Sequence, residues 1–281
     1  MDTKHANETP GEHSAAGPTV ENQSGAAGSG RGTERNPIEL GHIGPGAREQ
    51  IDTVFGFLGS LVRWHDLTQG VSGAEGRPGN VSGIVIVGAD PGNGGGTECP
   101  PTRALTDLAD AESLEQFLDE ALAYHEVRAL FREDWRTADL VAFNVRHRYR
   151  VIGHDPKKHT LIGRLVAKAK NHPREFLEQQ ITELFLSAIA KPMTRRKHAH
   201  VMTHVVELLG SKLDASEQSE LADLIGSYAK GDIDRGEPLA RLRDQVQATR
   251  IAGLVAQSYL FPDEILLRVT FRSEWSAEGS D

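Results

Sequence analysis

From Asp107 to about residue 272, apolar residues recur every three or four positions and show no strand-type alternation. Such a chain can bury its apolar stripes only by packing helix on helix. Leu108, Leu114, Phe117, Leu118, Ala121, Leu122, Val127, Leu130 and Phe131 trace the first apolar face, with Ser113 and Gln116 spaced as a capping box. Further helical patterns follow at about 139–153, 156–170, 174–190, 193–210, 216–230, 238–249, 250–259 and 263–272. Asp155-Pro156 is placed to cap and open the third pattern, and His172-Pro173 to close it. The expected fold is all-α, a compact bundle of about seven or eight helices.

The N-terminal third has a different composition. Residues 1–100 hold 21 of the 29 glycines. Almost no apolar residue precedes Ile38, so 1–48 reads as a disordered tail. Residues 49–102 read as one short amphipathic helix, Ile51 to Trp64, followed by a poorly structured Gly/Pro-rich linker. Within it, Ser82-Gly83-Ile84-Val85-Ile86-Val87 has the composition of a strand, one with no evident partner. Residues 103–138 then form a helical connector, 139–272 a helical domain and 273–281 a second disordered tail. No apolar run approaches the roughly 20 residues of a membrane span. The N-terminus lacks the apolar core of a secretory signal. The single cysteine, Cys99, excludes a disulfide framework and a four-cysteine metal site, and a cytoplasmic location is expected.

Charge is segregated along the chain. Residues 143–214 carry 14 Lys and Arg against 6 Asp and Glu, a net of +8 (14 − 6), within a chain of net charge −9. Seven of the 12 histidines lie there too. A basic segment in an acidic protein points to an anionic partner, or to a solvated helical surface.

Two stretches concentrate that charge. In 143–168, Arg146, Arg150 and His154 share one helix face, and Lys157, Lys158, His159 and Arg164 follow. Like charges one turn apart repel, so this face needs an anion or the acidic residues of 107–139 opposite it. In 188–204, Lys191, Thr194, Arg195, Arg196, Lys197 and His198 cluster at a helix start, where free N–H groups and arginine forks suit phosphate. The alternative there is a cluster that caps carboxylates of a neighbouring helix.

Other features carry little chemistry. His200 and His204 are spaced to share a metal, but no third ligand accompanies them and Arg195 and Arg196 lie close by, so no metal is expected. The glycine-rich stretch from Gly88 to Gly96 lacks the Gly-Lys-Ser/Thr ending of a phosphate loop. Cys99 has no base near it in sequence. No cofactor and no catalytic residue is assigned.

Three blocks together resemble the YbgA-like domain family, of unknown function: the segment 139–169 with Arg146, His147 and His154, the KPxTRRKH block from Lys191 to His198, and the QxYLxPxE ending from Gln257 to Glu264. The resemblance covers about 139–268. Thr160 stands where the family usually has Tyr, and 231–238 replaces a more apolar stretch. In many relatives this domain follows an iron–sulfur domain similar to thiouracil desulfidases, and 113–136 resembles the connector between the two. The resemblance therefore implies a role beside the removal of sulfur from thiolated uridine in tRNA, with the helical domain as the RNA-binding part. The cluster-holding cysteines of those relatives are absent here.

Three functions follow as expectations. The first is a non-catalytic nucleic-acid-binding module for tRNA, using Arg146, His147, Arg150, His154, Lys158, His159, Arg164, Lys191, Thr194, Arg195, Arg196, Lys197 and His198. The second is an enzyme whose arginines and histidines bind a small anion in a closed pocket. The third is an adaptor for a separate iron–sulfur desulfidase or photolyase-type enzyme, marked by an exposed apolar patch on the helix at 113–132.

Overall fold

A computed structural model describes residues 37–44, 46–67, 81–87 and 99–270. The first 36 residues, the final tail and the glycine-rich stretches 68–80 and 88–98 lie outside the described residues.

Four short strands form one sheet: β1 (Ile38–Ile43), β2 (Val62–Asp66), β3 (Gly83–Ile86) and β4 (Thr102–Ala104). The order is β2-β1-β3-β4 and every pair is parallel. Leu40 stands opposite Trp64 on one side and Gly83 on the other. The helix α1 (Ala47–Phe55) and a 3-10 turn at Gly56–Leu61 link β1 to β2.

The sheet corrects the all-α expectation. The strand at 83–86 has partners on both edges, and Trp64 lies in β2 instead of closing a helix. Parallel strands pair across connections and do not need alternating patterns, so strands of three to six residues leave little trace in the sequence.

The helices follow: α2 (Ala111–Leu130), α3 (Thr137–Arg146), α4 (Arg148–His154), α5 (Pro156–Ala167), α6 (Arg174–Ile189), α7 (Arg195–Leu209), α8 (Ala215–Lys230), α9 (Gly236–Thr249), α10 (Ala252–Val255) and α11 (Glu264–Thr270). Aspartates open three of them. Asp110 accepts from the Ser113 amide at 2.8 Å, which replaces the expected Ser113–Gln116 box. Asp155 accepts from the amides of Lys157 and Lys158, with Pro156 in the first turn. Asp214 and Glu217 close a reciprocal capping box on α8. The expected helix at 139–153 is two helices that meet at His147.

Three apolar clusters hold the fold. The sheet, α1 and the first half of α2 bury Leu40, Ile51, Phe55, Phe117 and Leu118 together with Ile265, Leu266 and Val269 of α11. The last helix thus packs back on the sheet, and Arg268 donates to the Phe57 carbonyl at 3.1 Å. The second half of α2 packs with α3 to α6 around Leu140, Ile181 and Phe185. Helices α7 to α10 enclose Met202, Val205, Leu221 and Leu242. Each large side chain buried in this way stabilises by about 2 to 3 kcal/mol relative to exposure.

Helix α2 is therefore a central spine. From Phe117 to Tyr124 every residue is buried. Gly83 lets this spine approach the sheet, since a Cβ there would lie 2.9 Å from Phe117 and 3.1 Å from Ala121 and Leu40.

Candidate nucleic-acid interface

The cationic residues singled out by the sequence divide into an inward set and an outward set. Helical spacing decides which is which.

Arg150 and His154 point inward, one turn apart on α4. Opposite them, Glu115, Asp119 and Glu126 lie on one face of α2 at spacings of four and seven. Arg150 is buried, with Nη1 donating to Glu126 Oε2 at 2.6 Å and Nη2 2.7 Å from Asp119 Oδ1. His154 is buried as well; Nε2 meets Asp119 Oδ2 at 3.0 Å and Nδ1 donates to the Lys191 carbonyl at 2.5 Å. Burial works against both carboxylates. Arg150 and His154 nevertheless hold Asp119 far below the ordinary aspartate range, and His147 and Arg150 hold Glu126 low.

His147 sits at the junction of α3 and α4. Its Nδ1 is 3.0 Å from Ser258 Oγ, and its Nε2 lies 3.9 Å from Glu126. Its ring packs on Phe143 and Phe185. Burial, with Arg150 and Arg146 near it, outweighs Glu126 and pushes its pKa down to about 4. The imidazole is neutral at pH 7.

The KPxTRRKH block is mostly structural. His198 accepts from Arg235 Nη1 at 2.8 Å through Nε2, so Nδ1 carries the proton and donates to Tyr259 Oη at 3.2 Å. Burial and Arg235 keep it well below the usual histidine range. Arg235 in turn binds Glu115 of α2 and Thr270 of α11. Arg195 donates to the carbonyls of Tyr228 and Ile233 and covers the Tyr228 ring at 4.8 Å. Lys197 donates to the carbonyls of His154 and Pro192, both at 3.0 Å. Lys191 pairs with Asp155. Thr194 takes the N-cap position of α7 without a side-chain cap bond, and Arg196 is exposed.

The expectation that His147, Arg150, His154 and His198 meet phosphate or a base is thus corrected. They are buried, and each is bound by groups of the chain itself. The carboxylates that do so were present in the sequence at helical spacing on α2, and this was the readable signal. Arg235, in a stretch that departs from the family pattern, gave none.

The outward set is Arg146, Arg148, Lys157, Lys158, Arg164, Lys168 and Lys170, every one at least partly exposed. None closes an ion pair among the described residues. The sole carboxylate in 141–172 is Asp155, which is buried and held by Lys191 and the amides of α5. Lys157, Arg164 and Lys168 form a stripe along the outer side of α5, roughly 16 Å long at 1.5 Å per residue. His159 adjoins the stripe, and burial with Arg148 nearby lowers its pKa. Arg148, Lys157, Lys168 and Lys170 were not among the expected contacts, although a count of carboxylates in 141–172 would have found them.

His204 is partnered by Glu207 at 3.2 Å on an exposed face, and His200 is exposed. No three His, Cys, Asp or Glu residues converge on a metal position among the described residues. Cys99 is exposed. No helix is long and apolar enough to cross a membrane among the described residues.

Comparison with known proteins finds a family match in the helical part of the chain. Residues 148–263 match a family described as protein of unknown function (DUF1722). The uncharacterized protein YbgA of Escherichia coli (strain K12) is 27% identical over 165 residues, which cover 56% of this chain and 96% of that protein. No solved structure matches. Arg150, His154, His198 and Arg235 lie within the residues matched by the family, and the chain carries a YbgA-like domain of unknown function.

Proposed function

We propose that this protein is a non-catalytic RNA-binding module and that tRNA is its ligand, bound on the outer surface of α3, α4 and α5. One observation carries the reading. Seven cations between Arg146 and Lys170 face solvent with no ion pair and no exposed carboxylate between them. Such a surface repels itself unless something negative lies on it. A polyanion releases counterions when it does so, and RNA offers phosphates at a spacing that a helix-long stripe of Lys and Arg can follow. The choice of tRNA, and of a setting in thiolated-uridine metabolism, rests on the resemblance of the domain to modules that follow desulfidase-like domains.

The two other readings lose support. A small-anion enzyme site needed His147, His154 and the KPxTRRKH block around a pocket, and His147, His154 and His198 are packed into the interior. The adaptor reading needed an apolar patch on the helix at 113–132, and that helix is the buried spine of the molecule.

The test is a titration of bulk tRNA at several salt concentrations, wild type against the triple variant Lys157→Glu/Arg164→Glu/Lys168→Glu. The affinity of the wild type is expected to fall steeply with salt. The variant is expected to lose at least about tenfold and to show a shallower slope, by roughly two units for three lost contacts. Absence of binding by wild type at low salt would overturn the reading.

A further inference from the structure

The cationic stripe ends beside an aromatic ring. Lys168 closes α5, Lys170 lies in the 3-10 turn at Ala169–Asn171, and α6 then begins. Phe176, in the first turns of α6, is 39% exposed, and it is the one aromatic among the exposed large apolar residues of the described chain. His172 stacks on it, ring centroids 5.1 Å apart and planes 29° from parallel. A Phe held by a second ring on one side and open to water on the other costs solvation and gives the fold little.

The surroundings match what a nucleobase requires. Lys168 and Lys170, both exposed, stand on the chain just before His172. Gln180 lies one turn beyond Phe176 on the same side of α6, with an amide that can donate to or accept from a base edge. The acidic residues nearest in sequence, Glu175 and Glu178, are rotated about 100° and 200° around the helix from Phe176, and Glu183, on the same side as Phe176, lies two turns further along α6. Aliphatic Leu161, also exposed, lies within the stripe between Lys157 and Arg164 and offers no ring for stacking.

We infer that Phe176, backed by His172, is a stacking platform for an unpaired nucleobase, so that the RNA bound along α5 is one with single-stranded nucleotides and not a continuous duplex. The inference rests on the RNA-binding reading and adds its substrate class. In a duplex the base faces are covered by their neighbours, and a single aromatic at the surface finds nothing to stack on. In a loop or at a strand end a base can turn out and lie on Phe176 while the adjoining phosphates meet Lys168 and Lys170.

The experiment compares a short single-stranded oligoribonucleotide containing 2-aminopurine with the duplex of the same sequence, using the full chain and its Phe176→Ala and Phe176→Leu variants. Wild type is expected to bind the single strand more tightly and to quench the 2-aminopurine on binding. Phe176→Ala should weaken that binding about 5- to 100-fold, remove the quenching and leave the salt slope unchanged. Phe176→Leu should keep the fold, shown by an unchanged melting temperature, yet lose the quenching. Equal affinity for the two forms, or single-strand affinity and quenching unmoved in both variants, would overturn the platform while the RNA-binding reading stands. Wild type that binds neither form would overturn both.

Discussion

Arg150 reaches Asp119 twice, with one guanidinium nitrogen 2.7 Å from the carboxylate and 2.8 Å from the backbone carbonyl of the same residue. Through this contact α4 is fixed to α2, and α2 in turn carries the sheet. A pair of buried ions repays its desolvation only when both partners are present. Replacing Arg150 by Met leaves Asp119 and Glu126 as facing carboxylates without their shared cation. The expected cost is about 3 to 5 kcal/mol, read as a lower midpoint in urea unfolding. Adding Asp119→Leu should recover a large part of it. A single variant as stable as wild type would contradict the assignment.

Acid should act on the same cluster in two stages. In the unfolded chain His147 takes up its proton near pH 6.5, whereas in the folded chain it does so only near pH 4. Acid therefore favours the unfolded state across that window, and stability falls as pH drops from 6.5 toward 4, by about 3 kcal/mol in total for this group. Below that window the depressed carboxylates Asp119 and Glu126 are protonated and their contribution is lost in turn. Urea unfolding at a series of pH values should show this decline, and His147→Asn should flatten its first stage. Stability that stays level between pH 6.5 and 4 would show that the ring is not held neutral.

Glycine substitutions separate the packed approach of α2 and the sheet from open helix surface. A Cβ at Gly83 meets Phe117, Ala121 and Leu40 within about an atom's contact distance or less, so Gly83→Ala is expected to destabilise by about 1 to 3 kcal/mol. At Gly163, in the middle of α5, a Cβ meets nothing within 4 Å. Gly163→Ala should stabilise by about 0.5 to 1 kcal/mol through the higher helix propensity of alanine. Thermal melts of the two variants should move in opposite directions.

The helical part of this fold was legible because long amphipathic helices repeat their signal over many turns. Asp155-Pro156, His172-Pro173 and the apolar stripe of α6 fell where the periodicity placed them. The sheet was not legible, since Ile38–Ile43 and Val62–Asp66 are brief, are buried by partners distant in sequence, and stand among glycines that suggest loops. In the candidate site the charge surplus was visible but its direction was not. Arg146 and Arg150 are one turn apart and look alike in sequence, yet one faces water and the other faces Asp119. Only the positions of Asp119 and Glu126 across the helix pair tell them apart, and that depends on how α2 and α4 dock. The same docking explains the KPxTRRKH block. Arg195 and Lys197 have the chemistry for phosphate, but the folded chain gives them the carbonyls of Tyr228, Ile233, His154 and Pro192.

The most direct test of this division measures tRNA affinity at low salt for two folded variants beside wild type. Arg150→Met/Asp119→Leu alters the inward set, and Lys157→Glu/Arg164→Glu/Lys168→Glu alters the outward set. The account predicts that the inward variant binds tRNA within about twofold of wild type, while the outward variant loses at least about tenfold. Loss of binding in the inward variant with full affinity in the outward one would contradict it, and would place the ligand at the buried cluster.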